Sequence, residues 1–333
     1  MSNGKIRLCM VGAGSIGRRH VRLLKERGDV AVGVVEPFDA SWQRLTAEVG
    51  EVERYMSMDE ALATGDFEAI AIATPHGMHA PMAIQALKAG RHVFCEKPMS
   101  DSLAECRAMT DAAKASGKVF SVGFMFHFDP FVRKVKELVD TGRIGNLLHY
   151  SSRFATYNCL KCSVTHHQAH TPYSLVMDCI HDADLMCWMC GSAPDFAWSS
   201  AYQAGDLELT SDPNFIDSVF RWKSGKLGGH LHYNYVEHPQ VHALEIAGDR
   251  GSIRGDFMTG AVTLGTIDGR TETFDMTREV DSIYRAEWEA FLAAVRGERA
   301  VENPAESAAL ATLVMEAQKQ SAAKRCEVAL ADL

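Results

Sequence analysis

The chain has 333 residues, 47% of them hydrophobic and 23% charged, values close to those of an ordinary globular protein. Lys and Arg total 34 against 43 Asp and Glu, and the net charge of −9 repels phosphate backbones, which argues against a general nucleic-acid-binding role. No apolar run reaches the roughly 18 residues that cross a bilayer, so no membrane role is expected, and at about 150 residues per domain the length predicts two domains. The opening Met1-Ser2-Asn3-Gly4-Lys5 runs straight into a strand-like segment and lacks the regions of a signal peptide. Nine scattered cysteines, an odd number, form no secreted disulfide framework, so reduced thiols in the cytoplasm are expected.

From the N-terminus to about residue 124, strand-like and helix-like segments alternate. Apolar runs at 6–11, 30–35, 69–73, 92–95 and 119–123 are interleaved with helical patterns at 15–27, 41–49, 81–89 and 102–116, the last with Asp101 or Ser102 as its cap. This β-α-β order predicts a doubly wound parallel sheet covered on both faces. Beyond residue 125 the texture changes: strand-like segments at 196–203, 216–222, 227–235, 243–248 and 252–257 follow one another, with turn signals at 223–225 and 248–251. One helix at 174–189 precedes them, and two more, 284–296 and 305–323, close the chain. The expectation is a Rossmann domain over 1–124, then an α+β domain over 125–333 built on an open, mainly antiparallel sheet that binds substrate and mediates oligomerisation.

The first strand runs into Gly12-Ala13-Gly14-Ser15-Ile16-Gly17 and then a helix. Gly12 permits the tight turn, Gly14 lets the backbone approach a pyrophosphate, and Gly17 lets helix and strand pack closely. The unpaired N–H groups of that helix face the phosphates. Glu36 ends the second strand, 24 positions beyond Gly12, where a carboxylate accepts from the adenine ribose hydroxyls. A carboxylate repels a 2′-phosphate, so NAD is favoured over NADP.

Two further segments point to chemistry. Cys95-Glu96-Lys97-Pro98 follows an apolar strand, and a lysine at the carboxyl end of a parallel strand faces the ligand crevice, where desolvation can lower a lysine pKa. Asp178 and His181, three apart at the opening of an apolar helical pattern, share one face of a helix.

Together these motifs resemble the glucose–fructose oxidoreductase, inositol dehydrogenase and rhizopine-catabolism (Gfo/Idh/MocA) family over nearly the whole chain. The resemblance rests on Gly12 to Gly17 with His20, Ala73-Thr74-Pro75 with His79, Glu96-Lys97-Pro98, Val122-Gly-Phe-Met125 with Asp129-Pro130, Gly142-Arg-Ile-Gly145, the Asp178–His181 segment and Gly248-Asp-Arg-Gly251. It implies an NAD(P)-dependent oxidoreductase acting on a secondary hydroxyl of a sugar, cyclitol or derivative. Lys97 matches the lysine that takes the hydroxyl proton, His181 the histidine that contacts the reacting oxygen or relays the proton, and Asp178 a substrate-binding or orienting residue, a role that Asp182 or Asp184 could share. Thr74, Pro75, His79 and Glu96 would lie along the cofactor. His127, Arg153, Tyr157 and His170 are further substrate-contact candidates, and the 165–173 stretch should shape the pocket. Relatives also reduce imines, enones or linear tetrapyrroles, cleave glycosides with NAD, or sense nucleotides without catalysis; Lys97 and His181 together argue against the last. An anionic substrate group needs a cation such as Arg153, Lys161 or Arg285.

Cys159, Cys162, Cys187 and Cys190, with His166, His167 and His170 among them, have a zinc-like spacing. The second pair falls in an apolar helical pattern, where cysteine acts as a small hydrophobe, so no metal is expected. An open sheet with one uncovered face predicts a homodimer or homotetramer.

Overall fold

The structure is a computed structural model that describes residues 4–162 and 167–333, with only the backbone of His167. Backbone contacts divide it into two units: Met1–Met125 with Glu279–Ala309, and Phe126–Arg278 with Leu310–Leu333. By these contacts Glu279–Ala309, part of the 125–333 stretch expected to form the second domain, groups with the first unit. The returning segment belongs with the first unit because the apolar face of its helix Val280–Val295 carries Trp288, Phe291 and Leu292 into the core formed by Leu8, Val21 and Phe94.

The first unit holds a six-stranded sheet of β1 (Ile6–Val11), β2 (Val30–Val35), β3 (Glu53–Tyr55), β4 (Ala69–Ile72), β5 (His92–Cys95) and β6 (Phe120–Val122). Its order is β3-β2-β1-β4-β5-β6 and every pair is parallel. Strands such as Ala-Ile-Ala-Ile in β4 are buried throughout, as a sheet covered on both faces requires. β3 and the helix Met58–Thr64 went unrecognised in the sequence because each is under eight residues and barely periodic; a Ser57 cap on the Glu60 N–H starts that helix. Ser102, not Asp101, caps helix Leu103–Ser116, and left-handed Gly117 ends it.

The second unit is built on a nine-stranded sheet of β7 (Leu147–Ala155), β8 (Phe196–Tyr202), β9 (Phe215–Arg221), β10 (Gly228–Asn234), β11 (Val241–Gly248), β12 (Gly251–Asp256), β13 (Ala261–Thr266), β14 (Thr271–Asp275) and β15 (Val328–Ala329). The order is β14-β13-β12-β11-β7-β10-β9-β8-β15, antiparallel except where β7 meets β10. The central strand β7 is absent from the expectation: Leu147-Leu-His-Tyr-Ser-Ser-Arg-Phe-Ala155 is polar, because one of its faces is open and buried Ser152 on the other spends its hydroxyl on a carboxylate. The single helix expected at 174–189 is two, Ser174–Asp178 and Ile180–Cys190, broken at Cys179.

Within the first unit, Glu287 is 2% exposed and neither carboxyl oxygen has a partner among the described residues. Burial, with the Glu96 charge as a lesser cause, pushes its carboxyl well above the ordinary range. The native state therefore holds a proton that the unfolded chain has already released above about pH 4.3, and stability falls as pH rises from there towards the native pKa, by up to about 1.4 kcal/mol per unit. Glu287→Gln is expected to lose that decline, so urea unfolding from pH 5 to 8 should show a gap in favour of the variant that widens with pH. Parallel curves would contradict a protonated Glu287.

Candidate active site

In the first unit, Gly12 has a φ of +98°, and a Cβ there would lie 2.8 Å from the Ala73 carbonyl oxygen. A Cβ on Gly17 would lie 2.1 Å from the Gly12 carbonyl, so helix Ser15–Lys25 rests directly on the turn. Gly14 is exposed, has no heavy atom within 4 Å of its Cβ position, and begins the helix without a side-chain cap. Ser15 is exposed and Ile16 half-buried beside it. This cradle of open backbone N–H groups fits a dinucleotide pyrophosphate.

Glu36 directly follows β2 and is nearly buried, accepting the Ala13 N–H at 2.9 Å through one oxygen and the Phe38 N–H at 2.9 Å through the other. Each oxygen keeps a second lone pair for a ribose hydroxyl. The Arg54 guanidinium, unrecognised in the sequence, reaches this turn from β3, donating to the Glu36 carbonyl at 3.0 Å and pairing with Asp39 at 2.8 Å.

The loops after β4 and β5 are tied by His79, whose ring nitrogens lie 2.9 Å from the Thr74 and Pro98 carbonyls. Burial lowers its pKa, so the neutral ring donates to one of the two. Thr74 is half-buried and Pro75 exposed on this loop. Glu96 is buried directly before half-buried Lys97. Its carboxylate accepts from His20 Nε2 at 2.7 Å and the Lys97 N–H at 3.1 Å. Trp288 donates to His20 Nδ1 at 3.0 Å, which leaves the proton on Nε2, facing Glu96. Burial pushes the Glu96 carboxyl up, but the His20 hydrogen bond, with the His20 and Lys97 charges and the Lys97 N–H, outweighs it and holds the group below its ordinary value.

In the second unit, a cavity of about 410 Å³ is lined by Asp178, His181, Asp182, Gln240, His242 and Arg278, closed by the Phe126, Phe154 and Phe257 rings. Asp178 ends one short helix and His181 lies in the next, so the break at Cys179, not a common helical face, brings both to one wall. Asp178 accepts from Tyr235 at 2.6 Å and Gln168 at 3.2 Å. Burial keeps the Tyr235 hydroxyl well above its ordinary pKa, so it remains a donor. The His181 ring packs on Phe126 at 4.7 Å. Arg278 is turned to Asp129, which it meets at 2.5 and 2.7 Å.

Other candidates stand apart from this cavity. Arg153 points to the opposite face of β7 from cavity-lining Phe154 and pairs with Glu237 at 2.6 Å. His127 is buried against Asp184 at 2.7 Å and stacked on Trp188, so both partners are structural. Tyr157 packs on His238, and His170 is exposed. Lys161 is exposed and Arg285 pairs with Glu26 on the surface of the first unit. Gln240, His242 and Arg278 escaped the sequence reading because strand and loop residues far apart in the chain carry no local signature. Cys187 is buried, Cys159 and Cys190 are half-buried and Cys162 exposed; no group of three or more metal-ligating side chains lies together among the described residues. Thr165, His166 and the His167 side chain lie outside them.

Residues 6–124 match the Gfo/Idh/MocA oxidoreductase family model, an NAD-binding Rossmann fold, and residues 136–330 match that family's C-terminal alpha/beta domain. Inositol 2-dehydrogenase of Rhizobium meliloti (strain 1021) is 25% identical over 339 residues, 98% of this chain and 99% of the relative. The uncharacterized oxidoreductase YrbE of Bacillus subtilis (strain 168) is 33% identical over 188 residues, a match spanning 55% of this chain and 53% of YrbE. The solved structure of scyllo-inositol dehydrogenase from Lactobacillus casei with bound NAD(H) and scyllo-inositol shares the fold at a TM-score of 0.83 and 22% identity, over 98% of this chain and 99% of that one.

The glycine geometry separates two variants. Gly17→Ala forces the helix off the turn and should cost about 1–3 kcal/mol of stability. Gly14→Ala meets no neighbour and should leave stability within about 1 kcal/mol, yet weaken NAD binding at least about tenfold by blocking phosphate approach. Thermal unfolding and NAD titration of both variants check the contrast.

Proposed function

This chain belongs to the Gfo/Idh/MocA oxidoreductase family, and we propose that it is an NAD-dependent dehydrogenase of a neutral polyol, a sugar, cyclitol or close derivative. The observation that carries this reading is the cavity of the second unit, where Asp178 and His181 meet on one wall. Among its described lining residues the cation is Arg278, whose charge the buried Asp129 carboxylate already offsets, so a carboxylate substrate gains little there. Hydroxyl groups suit it better, because Asp178 accepts and imidazoles both accept and donate. The names of the inositol 2-dehydrogenase relative and the scyllo-inositol-bound structure point to the same substrate class.

Bound NAD supplies the hydride acceptor. Lys97, at the carboxyl end of β5, takes the proton from the reacting hydroxyl as the carbon loses hydride. His181 hydrogen-bonds the reacting oxygen. Asp178, held by Tyr235 and Gln168, accepts from a substrate hydroxyl with its orientation already fixed. The Glu96–His20–Trp288 chain fixes the backbone that carries Lys97. We place the protein in the cytoplasm, where none of its nine cysteines needs a disulfide and NAD is at hand. Exposed Trp198, Val219 and Tyr202 on β8 and β9 support a homo-oligomer formed through the sheet.

NADH formation, followed by absorbance, should appear with one or more inositols or neutral aldoses and be weaker with sugar acids. Lys97→Ala should lower kcat about 10²–10⁴-fold, the usual worth of a general base, with NAD affinity held within a few-fold. His181→Ala should lower kcat by a smaller factor. Turnover that survives in Lys97→Ala would remove that residue from the chemistry.

A further inference from the structure

His242 lies on β11 and lines the same cavity as Asp178 and His181. Its ring is held on three sides: stacked on Phe257 at 3.8 Å and 5°, with Phe154 edge-on at 5.0 Å and Phe126 at 5.7 Å. Nε2 lies 3.1 Å from Oδ1 of Asp182, a carboxylate that is 1% exposed and also accepts the hydroxyl of buried Ser152. A carboxylate accepts, so Nε2 carries a hydrogen towards it, and in the neutral imidazole Nδ1 then keeps its lone pair. No described residue hydrogen-bonds Nδ1. The ring thus presents one acceptor, with its tautomer fixed from behind and its rotation blocked by packing.

We propose that His242, oriented by Asp182, is a substrate-binding residue that accepts a hydrogen bond from one non-reacting hydroxyl of the polyol and so sets which hydroxyl pattern the cavity takes. Asp182 is a positioning residue that does not touch the substrate. The proposal deepens the polyol reading above and rests on it. A rigid acceptor discriminates strongly, because an analogue lacking the hydroxyl leaves a desolvated nitrogen unpaired, whereas a mobile side chain would turn away. Ser152 and Asp182 are then not interchangeable with Asp178: the Asp182 carboxylate, 1% exposed where it lines the cavity, is engaged by Ser152 and His242 and fixes the ring, while Asp178 faces the substrate.

The test compares KM and kcat for the best polyol and its monodeoxy analogues in wild type, His242→Phe and His242→Gln. Phenylalanine keeps the stack on Phe257 and removes the acceptor; should it fail to fold, His242→Ala serves the same purpose. The expected result is a KM raised about tenfold for the parent polyol in His242→Phe, with kcat changed less than about threefold and NAD affinity unchanged. The decisive readout is selectivity: the penalty wild type shows for one particular monodeoxy analogue should vanish in His242→Phe, while penalties at the other positions persist. His242→Gln, which restores an acceptor, should recover part of it. An equal loss for the parent and every analogue would show a merely structural ring and overturn the proposal, as would no change at all. Wild-type protein that binds NAD but neither turns over nor binds any polyol would instead overturn the function on which the proposal rests, and it is read before any variant is made.

Discussion

A carboxylate removed from water must be given donors, and the first unit is organised around one such group. Glu96 sits at the end of β5, buried, and stays ionised because His20 and the Lys97 N–H donate to it. Trp288, from the returning helix Val280–Val295, donates to the other His20 nitrogen and so leaves the hydrogen on Nε2, facing Glu96. Gly123 after β6 matters for the same reason, since a Cβ there would stand 3.2 Å from the Glu96 carboxyl. One buried charge thus ties together β5, the loop after β6, helix Ser15–Lys25 and a segment over 150 residues downstream, and the backbone it fixes is the one that carries Lys97. Losing any donor would leave that charge unpaired in the interior, which costs more than the bond itself is worth.

The second unit solves a similar problem three times over. Asp129 is offset by Arg278, Asp184 by His127, and Asp182 by Ser152 and His242. Each pairing engages a carboxylate, and the cavity lining also holds Asp178, Gln240, the His181 and His242 imidazoles and the Phe126, Phe154 and Phe257 rings. The polyol reading proposed above rests on these fixed acceptors and donors and on the Arg278 charge already being paired with Asp129.

The same pairings explain where residue type alone misleads. Arg153 and His127 have the chemistry to bind a sugar, but each is spent on a neighbouring carboxylate, and Arg153 lies on the other face of its strand. Asp178 and His181 are three apart, as a shared helical face requires, yet they meet because the helix breaks between them. The structure brings both residues to one cavity, by a route other than the one the spacing implies.

What the amino-acid sequence determined by itself is whatever depends on near neighbours along the chain. The Gly12, Gly14 and Gly17 turn, the apolar parallel strands, the Ser102 cap and the Glu96-Lys97-Pro98 loop are each set by backbone sterics and short-range periodicity, and each was legible before any coordinates. The family resemblance added the roles proposed for Lys97, Asp178 and His181. The polar central strand β7, the membership of helix Val280–Val295 in the first unit and the cavity residues Gln240, His242 and Arg278 were decided only by tertiary structure. Their signal lies in pairings between residues scores of positions apart, such as Asp182 with His242 or Trp288 with His20, and no local pattern of hydrophobicity or turn chemistry encodes which buried donor will meet which buried acceptor.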